Sequence, residues 1–302
     1  MPFHPLLASP LARVVNTSLA VAVVALFCLT ADAGAATFTV DRVATDAVDA
    51  NVGDGACVAV SGGGCTLRAA VQEANFTVAL DTIILPSGQA ALLTLGPAGT
   101  ASAATGDLDV LHGLTVQSSG AAPAVIDGGD VDRIFEVPDA SPSPRVNLTL
   151  KSLTLRNGKV TGEIGGAILT DGTLVATDVR ITSSDAIHKT VAPLADGLGG
   201  GIGGGLSSVV TLTRSRLDGN SATTGGALSV AGDTTVDRTT IDGNFSRTGE
   251  SGSGAGIHNR GALSVVNSTI ANNTDNGGNG GGALITGVNN GGVGQVTIAF
   301  ST

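Results

Sequence analysis

The chain has 302 residues, with 15 Lys and Arg against 25 Asp and Glu, a formal net charge of −10. No basic cluster interrupts that balance, which excludes the electrostatic footprint of nucleic-acid binding and disfavours an anionic membrane surface as partner. Glycine reaches 45 residues while apolar residues hold 42%, so a packed core is expected rather than disorder.

The first element in chain order is not structural. Residues 1–36 read as a secretory signal peptide: Arg13 gives a modest positive flank, "LAVAVVALFCLTA" (19–31) is too short for a comfortable membrane span, and "ADAGAA" offers cleavage after Ala33, Ala35 or Ala36. An uncleaved N-terminal anchor is the alternative. Phe27 stands where a lipoprotein cysteine at Cys28 would need a small residue before it. Cleavage removes Arg13 and Asp32, leaving 14 basic against 24 acidic residues, still a net −10.

The stretch "DRVATDAVDANVGDG" follows, dense in oxygen side chains. Asp46, Asp49, Asn51 and Asp54 with Gly53 and Gly55 suggest one weak structural Ca2+ site, although the EF-hand spacing is missing and no Glu closes the loop. Cys57 and Cys65 are an even pair in a chain read as exported, and suggest a disulfide closing "CVAVSGGGC". Two cysteines with no neighbouring histidine are too few for zinc.

"CTLRAAVQEAN" (65–75) is the stretch that reads cleanly as a helix. Leu67, Ala70, Val71 and Ala74 line one face, Thr66 stands as N-cap and Asn75 closes the end. Beyond it the pattern changes to short alternating runs. The apolar residues after successive glycine clusters are Ile168, Ile202, Leu228, Ile257 and Leu284, spaced 34, 26, 29 and 27 apart. Alternation at period two within a repeat of that length predicts a solenoid of short strands, each turn burying its inner face only by stacking on the next. Asn220, Asn244 and Asn273 each follow an apolar residue by three and are expected to stack as a ladder of amides. The fold class expected is all-β, a parallel β-helix with an N-terminal capping helix over its open end. The expected domains are 1–36 signal peptide, 37–80 cap and 81–302 β-helix. The final run "VTIAFST" stops inside a strand, so a fragment truncated after Thr302 is expected, with any anchor module beyond it.

At this point residues 37–75 resemble the CSLREA domain at the head of exported bacterial β-helix proteins, with Cys65-Thr66-Leu67-Arg68-Ala69-Ala70 departing at two letters. "GDLDV" (106–110) and "VIDGGDVDRIFEV" (125–137) resemble the usual continuation. The segments "GGAI" and "GGAL", with "LDGN", "IDGN" and "IANN", resemble the repeats of polymorphic outer-membrane proteins. The resemblance implies a right-handed, pectin-lyase-like β-helix, secreted or displayed on the cell surface and mostly without established chemistry. It decides no function by fold alone.

The chemistry-bearing residues are few. Asp127, Asp130, Asp132 and Arg133 in "DGGDVDR" form the best carboxylate cluster for a carbohydrate-active enzyme acting on acidic polysaccharide. Asp171, Asp178 and Asp185 do not repeat in phase with them, and the absence of Trp and Tyr removes the usual sugar-stacking platforms. His112, His188 and His258 are scattered and are expected as exposed turn residues. No nucleophile elbow is present, and "GLGGGIGG" matches a dinucleotide fingerprint only through glycine abundance. The expected function is a structural or adhesive module without catalytic activity of its own, presenting loops such as 188–200 to a glycan or a host or cell-surface ligand. No membrane insertion by the mature chain is expected, and no cofactor beyond structural calcium.

Overall fold

The computed structural model describes residues 34–60, 62–97, 103–139, 145–189, 197–247, 254–276, 281–286, 296–299 and 302. Residues 1–33 of the segment expected as a signal peptide, and residues 190–196 of the loop 188–200 expected as a contact site, lie outside the described residues.

The backbone winds as a parallel β-helix. Its strands form four sheets of nine, seven, seven and five members, and every pairing between named strands is parallel. One turn shows the plan: Ile168–Thr170, Thr173–Thr177, Arg180–Thr182 and Asp185–Ile187 lie on the four walls in succession. The next turn begins at Ile202–Gly204, paired directly with Ile168–Thr170.

Register explains the sequence spacing. Ile168, Ile202, Leu228, Ile257 and Leu284 are Cα partners on successive turns, so the unequal steps are loops of different length returning to one row. Parallel rows of Leu155, Ile181, Leu217 and Ile241, and of Leu150, Ala176, Leu212 and Val236, fill the interior. All eight of these side chains are fully buried. Each large one contributes about 1.5–3 kcal/mol of burial, and a wall of period two turns every second residue inward.

The corners are stacked too. Ser152, Asp178, Arg214, Arg238 and Asn267 adopt positive φ at one corner, and Asn157, Ser183, Gly219, Gly243 and Asn272 at the next. Just inside these corners run two polar ladders. Asn220 Nδ2 donates to Asn244 Oδ1 at 3.0 Å, and Asn244 Nδ2 to Asn273 Oδ1 at 2.9 Å. Each Oδ1 also accepts a backbone N–H, which starts at Ser184 and Asn220 Oδ1. Ser215, Thr239 and Ser268 form a second ladder, each hydroxyl accepting a backbone N–H from the turn before. These groups sit where a corner breaks the sheet ladder, so they satisfy backbone donors that would otherwise be buried bare.

The N-terminal turn carries the one α-helix among the described residues, Leu67–Ala74. Thr66 Oγ1 accepts the Ala69 N–H as N-cap, and Leu67, Ala70, Val71 and Ala74 are buried against the first strands. Cys57 and Cys65 are bonded as a disulfide. The helix's polar residues tie down everything beside it. Gln72 accepts the Asp49 N–H, Glu73 accepts Gly53 and Gly55, and Asn75 bridges Asp109 O and the Leu111 N–H. Arg68, fully buried, forms an ion pair with Asp46 and donates to the carbonyls of Ala103, Gly106 and Asp107.

Candidate functional site

Among the described residues the five-stranded wall begins at Lys159–Thr161, and the earlier turns show no strand on that side. A cavity of about 460 Å³ occupies the gap. Its walls come from the connection ahead of Leu108–Asp109, the connection ahead of Phe135–Val137, and Lys159–Thr161 itself.

Six carboxylates line it, from Asp107, Asp109, Asp130, Asp132, Glu136 and Glu163, against the two cations Arg133 and Lys159. Asp107 and Asp109 lie two apart in chain and therefore on the same side of an extended segment. Glu136 is the Cα partner of Asp109 in the parallel pair Leu108–Asp109 with Phe135–Val137, one turn on. Register alone thus brings three acidic groups together, and their oxygens lie within 4.8 Å of one another.

Arg133 is the counter-charge. Its Nε donates to Asp107 at 2.5 Å, Nη2 meets Glu163 at 2.7 Å and Glu136 at 3.0 Å, and Nη1 donates to Ile164 O at 2.7 Å. Burial pulls the guanidinium's pKa down, but the charges of Asp107 and Glu136 outweigh it and raise it. One arginine does not neutralise the site. Asp109 is 2% exposed, and burial, reinforced by the charges of Asp107 and Glu136, pushes its pKa up to about 7. Burial likewise raises Glu136 and Asp132. The Oδ2 of Asp109 and the Oγ1 of Thr105, both on residues lining this cavity, are buried without a hydrogen-bond partner.

The cluster expected from "DGGDVDR" is divided by the fold. Asp132 and Arg133 face the cavity, and Asp130, held at φ +58°, lines its rim. Asp127 turns the other way: its carboxylate accepts from Arg156 Nε at 2.7 Å and Asn157 Nδ2 at 2.8 Å on the next turn. Burial acts to raise Asp127, but these donors and the Gly129 N–H win and lower its pKa.

Of the calcium ligands expected in the cap, Asp46, Asp49 and Asp54 are not among the carboxylates whose oxygens cluster within 4.8 Å among the described residues. Asp46 is taken up by Arg68 and by the Thr94 and Leu95 N–H groups. Asp49 accepts the Asn51 and Val58 N–H groups, and Asp54 accepts Ala56. Asn51 itself is exposed. These carboxylate oxygens accept backbone N–H groups and so shape the loop.

His258 corrects the expectation of an exposed turn residue. It lies in the strand Ile257–Asn259, 7% exposed, with Nδ1 3.0 Å from Ser229 Oγ. Burial, then the charge of Arg260, pushes its pKa down to about 4. His258 occupies the same register row as Asp109 and Glu136, several turns on.

Sequence reasoning passed over Asp107, Asp109 and Glu136 as site residues, although "GDLDV" and "RIFEV" carry them. The signal was the match between Leu108 and Phe135 as inward anchors, which sets Asp109 against Glu136. No protein-family model, curated protein or solved structure matches the chain, so the site is read from its own geometry.

Proposed function

We propose that the chain is an exported, surface-displayed β-helix that acts as a structural or adhesive rod, with the segment 37–75 as a CSLREA-like cap. The observation that supports this most is the use of charge on the outer walls. Arg180 pairs with Asp218, Arg214 with Asp178, Arg216 with Asp242 and Arg247 with Asp185, each partner lying on another turn. Most of these pairs are solvent-screened and weak singly, but together they oppose shear between turns. Charges committed to neighbouring turns stiffen a rod; they do not converge on a substrate.

A second reading, a carbohydrate-active enzyme acting on acidic polysaccharide, draws on the carboxylate-lined cavity. Six carboxylates against two cations repel a polyuronide, which sets this reading second.

The deciding assay incubates the chain with polyuronides, neutral glycans and intact cells, with and without Ca2+, and measures bound ligand and released reducing ends together. Binding without turnover is the expected result. Release of ends that disappears in Asp132→Asn overturns the display reading in favour of the enzyme.

A further inference from the structure

We propose that Asp107, Asp109 and Glu136, with the hydroxyl of Thr105, form a Ca2+ site that staples the first turns of the β-helix beneath the cap. The inference stands independently of the display reading.

The geometry is that of a cation cage. The three carboxylate oxygens lie within 4.8 Å of one another, about twice a Ca–O distance, which is the span of one coordination shell. Proximity of acids alone means little, since acidic groups often crowd. The second observation is the pair of buried oxygens, Asp109 Oδ2 and Thr105 Oγ1, that no protein donor satisfies. Among the described residues they are the buried side-chain atoms in that condition, and both belong to residues lining this cavity. Native interiors rarely leave a carboxylate oxygen bare, and a metal ion is one of the few groups that meets such an atom.

Arg133 does not complete the site. Arg133 has Nε, Nη1 and Nη2 already engaged by Asp107, Ile164, Glu163 and Glu136. The oxygens of Asp107, Asp109 and Glu136 crowd within 4.8 Å of one another, so their negative charges stand in conflict. A divalent cation removes that conflict.

The donor chemistry selects the ion. Every candidate ligand is an oxygen, with no His, Cys or Met in the cluster, which favours a hard cation. Ca2+ accepts irregular shells of 6–8 oxygens and completes them with water, which a cavity of about 460 Å³ accommodates. Mg2+ demands a tighter octahedron that ligands drawn from two backbone turns do not readily supply.

The position gives the ion a task. Asp109 and Glu136 sit on adjacent turns, while the Asp107 carbonyl accepts from Arg68 of the capping helix and the Asp109 carbonyl from Asn75. One ion therefore joins cap, first turn and second turn at the place where the fourth wall has not yet begun.

The test is calorimetric titration of the full chain with CaCl2, together with thermal melts in EDTA, Ca2+ and Mg2+. One Ca2+ per chain, a higher melting temperature in Ca2+ than in EDTA, and a smaller response to Mg2+ are expected. Asp109→Asn and Glu136→Gln should each weaken Ca2+ binding by about tenfold or more, while Asp54→Asn in the cap loop leaves it unchanged. In EDTA, Asp109→Asn should melt no lower than the parent, because it removes a bare buried charge; Glu136→Gln repeats the binding test on the neighbouring turn. Absence of both heat and melting shift overturns the proposal. So does binding that survives both cavity substitutions, or binding lost in Asp54→Asn.

Discussion

Replacing Arg68 with alanine should cost about 3–5 kcal/mol, most of it at the N-terminal end. The guanidinium and the Asp46 carboxylate are both fully buried and meet at 2.6 and 3.1 Å. Truncating one partner of such a pair leaves the other charged and desolvated, a loss of about 3–5 kcal/mol. The Thr94 and Leu95 N–H groups remain on Asp46 and soften that term. Three carbonyls, those of Ala103, Gly106 and Asp107, lose a donor and add to it. Arg68→Lys keeps the charge but not the fork, and should fall between parent and Arg68→Ala. The double substitution Arg68→Met with Asp46→Asn removes both charges and should recover much of the loss. Urea unfolding followed by far-UV circular dichroism reads the total. Hydrogen exchange reads its location, since a solenoid opens from its ends. A loss below about 1 kcal/mol, or a double variant as damaged as the single one, would refute the account of Arg68 as a buried pin.

Three further outcomes follow from the walls. Asn244→Ala should cost about 3 kcal/mol in equilibrium unfolding, because it leaves the buried Asn220 N–H without its acceptor and takes a donor from the Leu217 carbonyl and from Asn273 Oδ1, which keeps only the Asn244 N–H. A neutral substitution there would show that water replaces the amide. Gly226→Ala should lower the melting temperature sharply, since its Cβ would meet the backbone of Phe245 and the Ala255 carbonyl at 2.7 Å or less, and backbone cannot rotate away. His258 is held neutral by burial and by Arg260, with Ser229 on its Nδ1, so its pKa falls from 6.5 to about 4. The unfolded chain then binds the proton first, and stability present above pH 6.5 is lost as pH falls toward 4, by about 3 kcal/mol. Stability-against-pH curves of the parent and His258→Asn should diverge across that interval; parallel curves would remove His258 from the acid response.

Much of the architecture is legible in the chain because a solenoid is written one turn at a time. Alternation at period two names the strands, and recurrence of Ile168, Ile202, Leu228, Ile257 and Leu284 names the turn. Phase also exposes Asn220, Asn244 and Asn273, since an inward amide pays off only when its neighbour lies one turn above. The hydroxyl ladder of Ser215, Thr239 and Ser268 is in phase as well, but Ser and Thr are so common here that the recurrence is hidden in composition.

The site is less legible because it lies in the irregular turns, where no repeat marks the register. Asp107, Asp109, Arg133, Glu136 and Glu163 are scattered over 57 positions and become neighbours only when Leu108 stacks on Phe135. Local chemistry in "DGGDVDR" pointed near the cavity yet could not say that Asp127 faces Arg156 across the other side. In the cap, density of acidic residues suggested a metal loop, and only the fold shows that Asp46 and Asp49 hold Arg68 and backbone N–H groups.

What the sequence by itself determined is therefore whatever depends on period and on neighbours in chain: strands, turns, the helix with its Thr66 cap, and the Asn ladder. Side-chain direction at period two and helical capping are local rules, and local rules can be read from local residues. The tertiary structure alone decided which acidic groups share a cavity, which are matched by arginine, and which oxygen is left bare. Those outcomes depend on register between distant turns and on desolvation, quantities that exist only after the chain has wound.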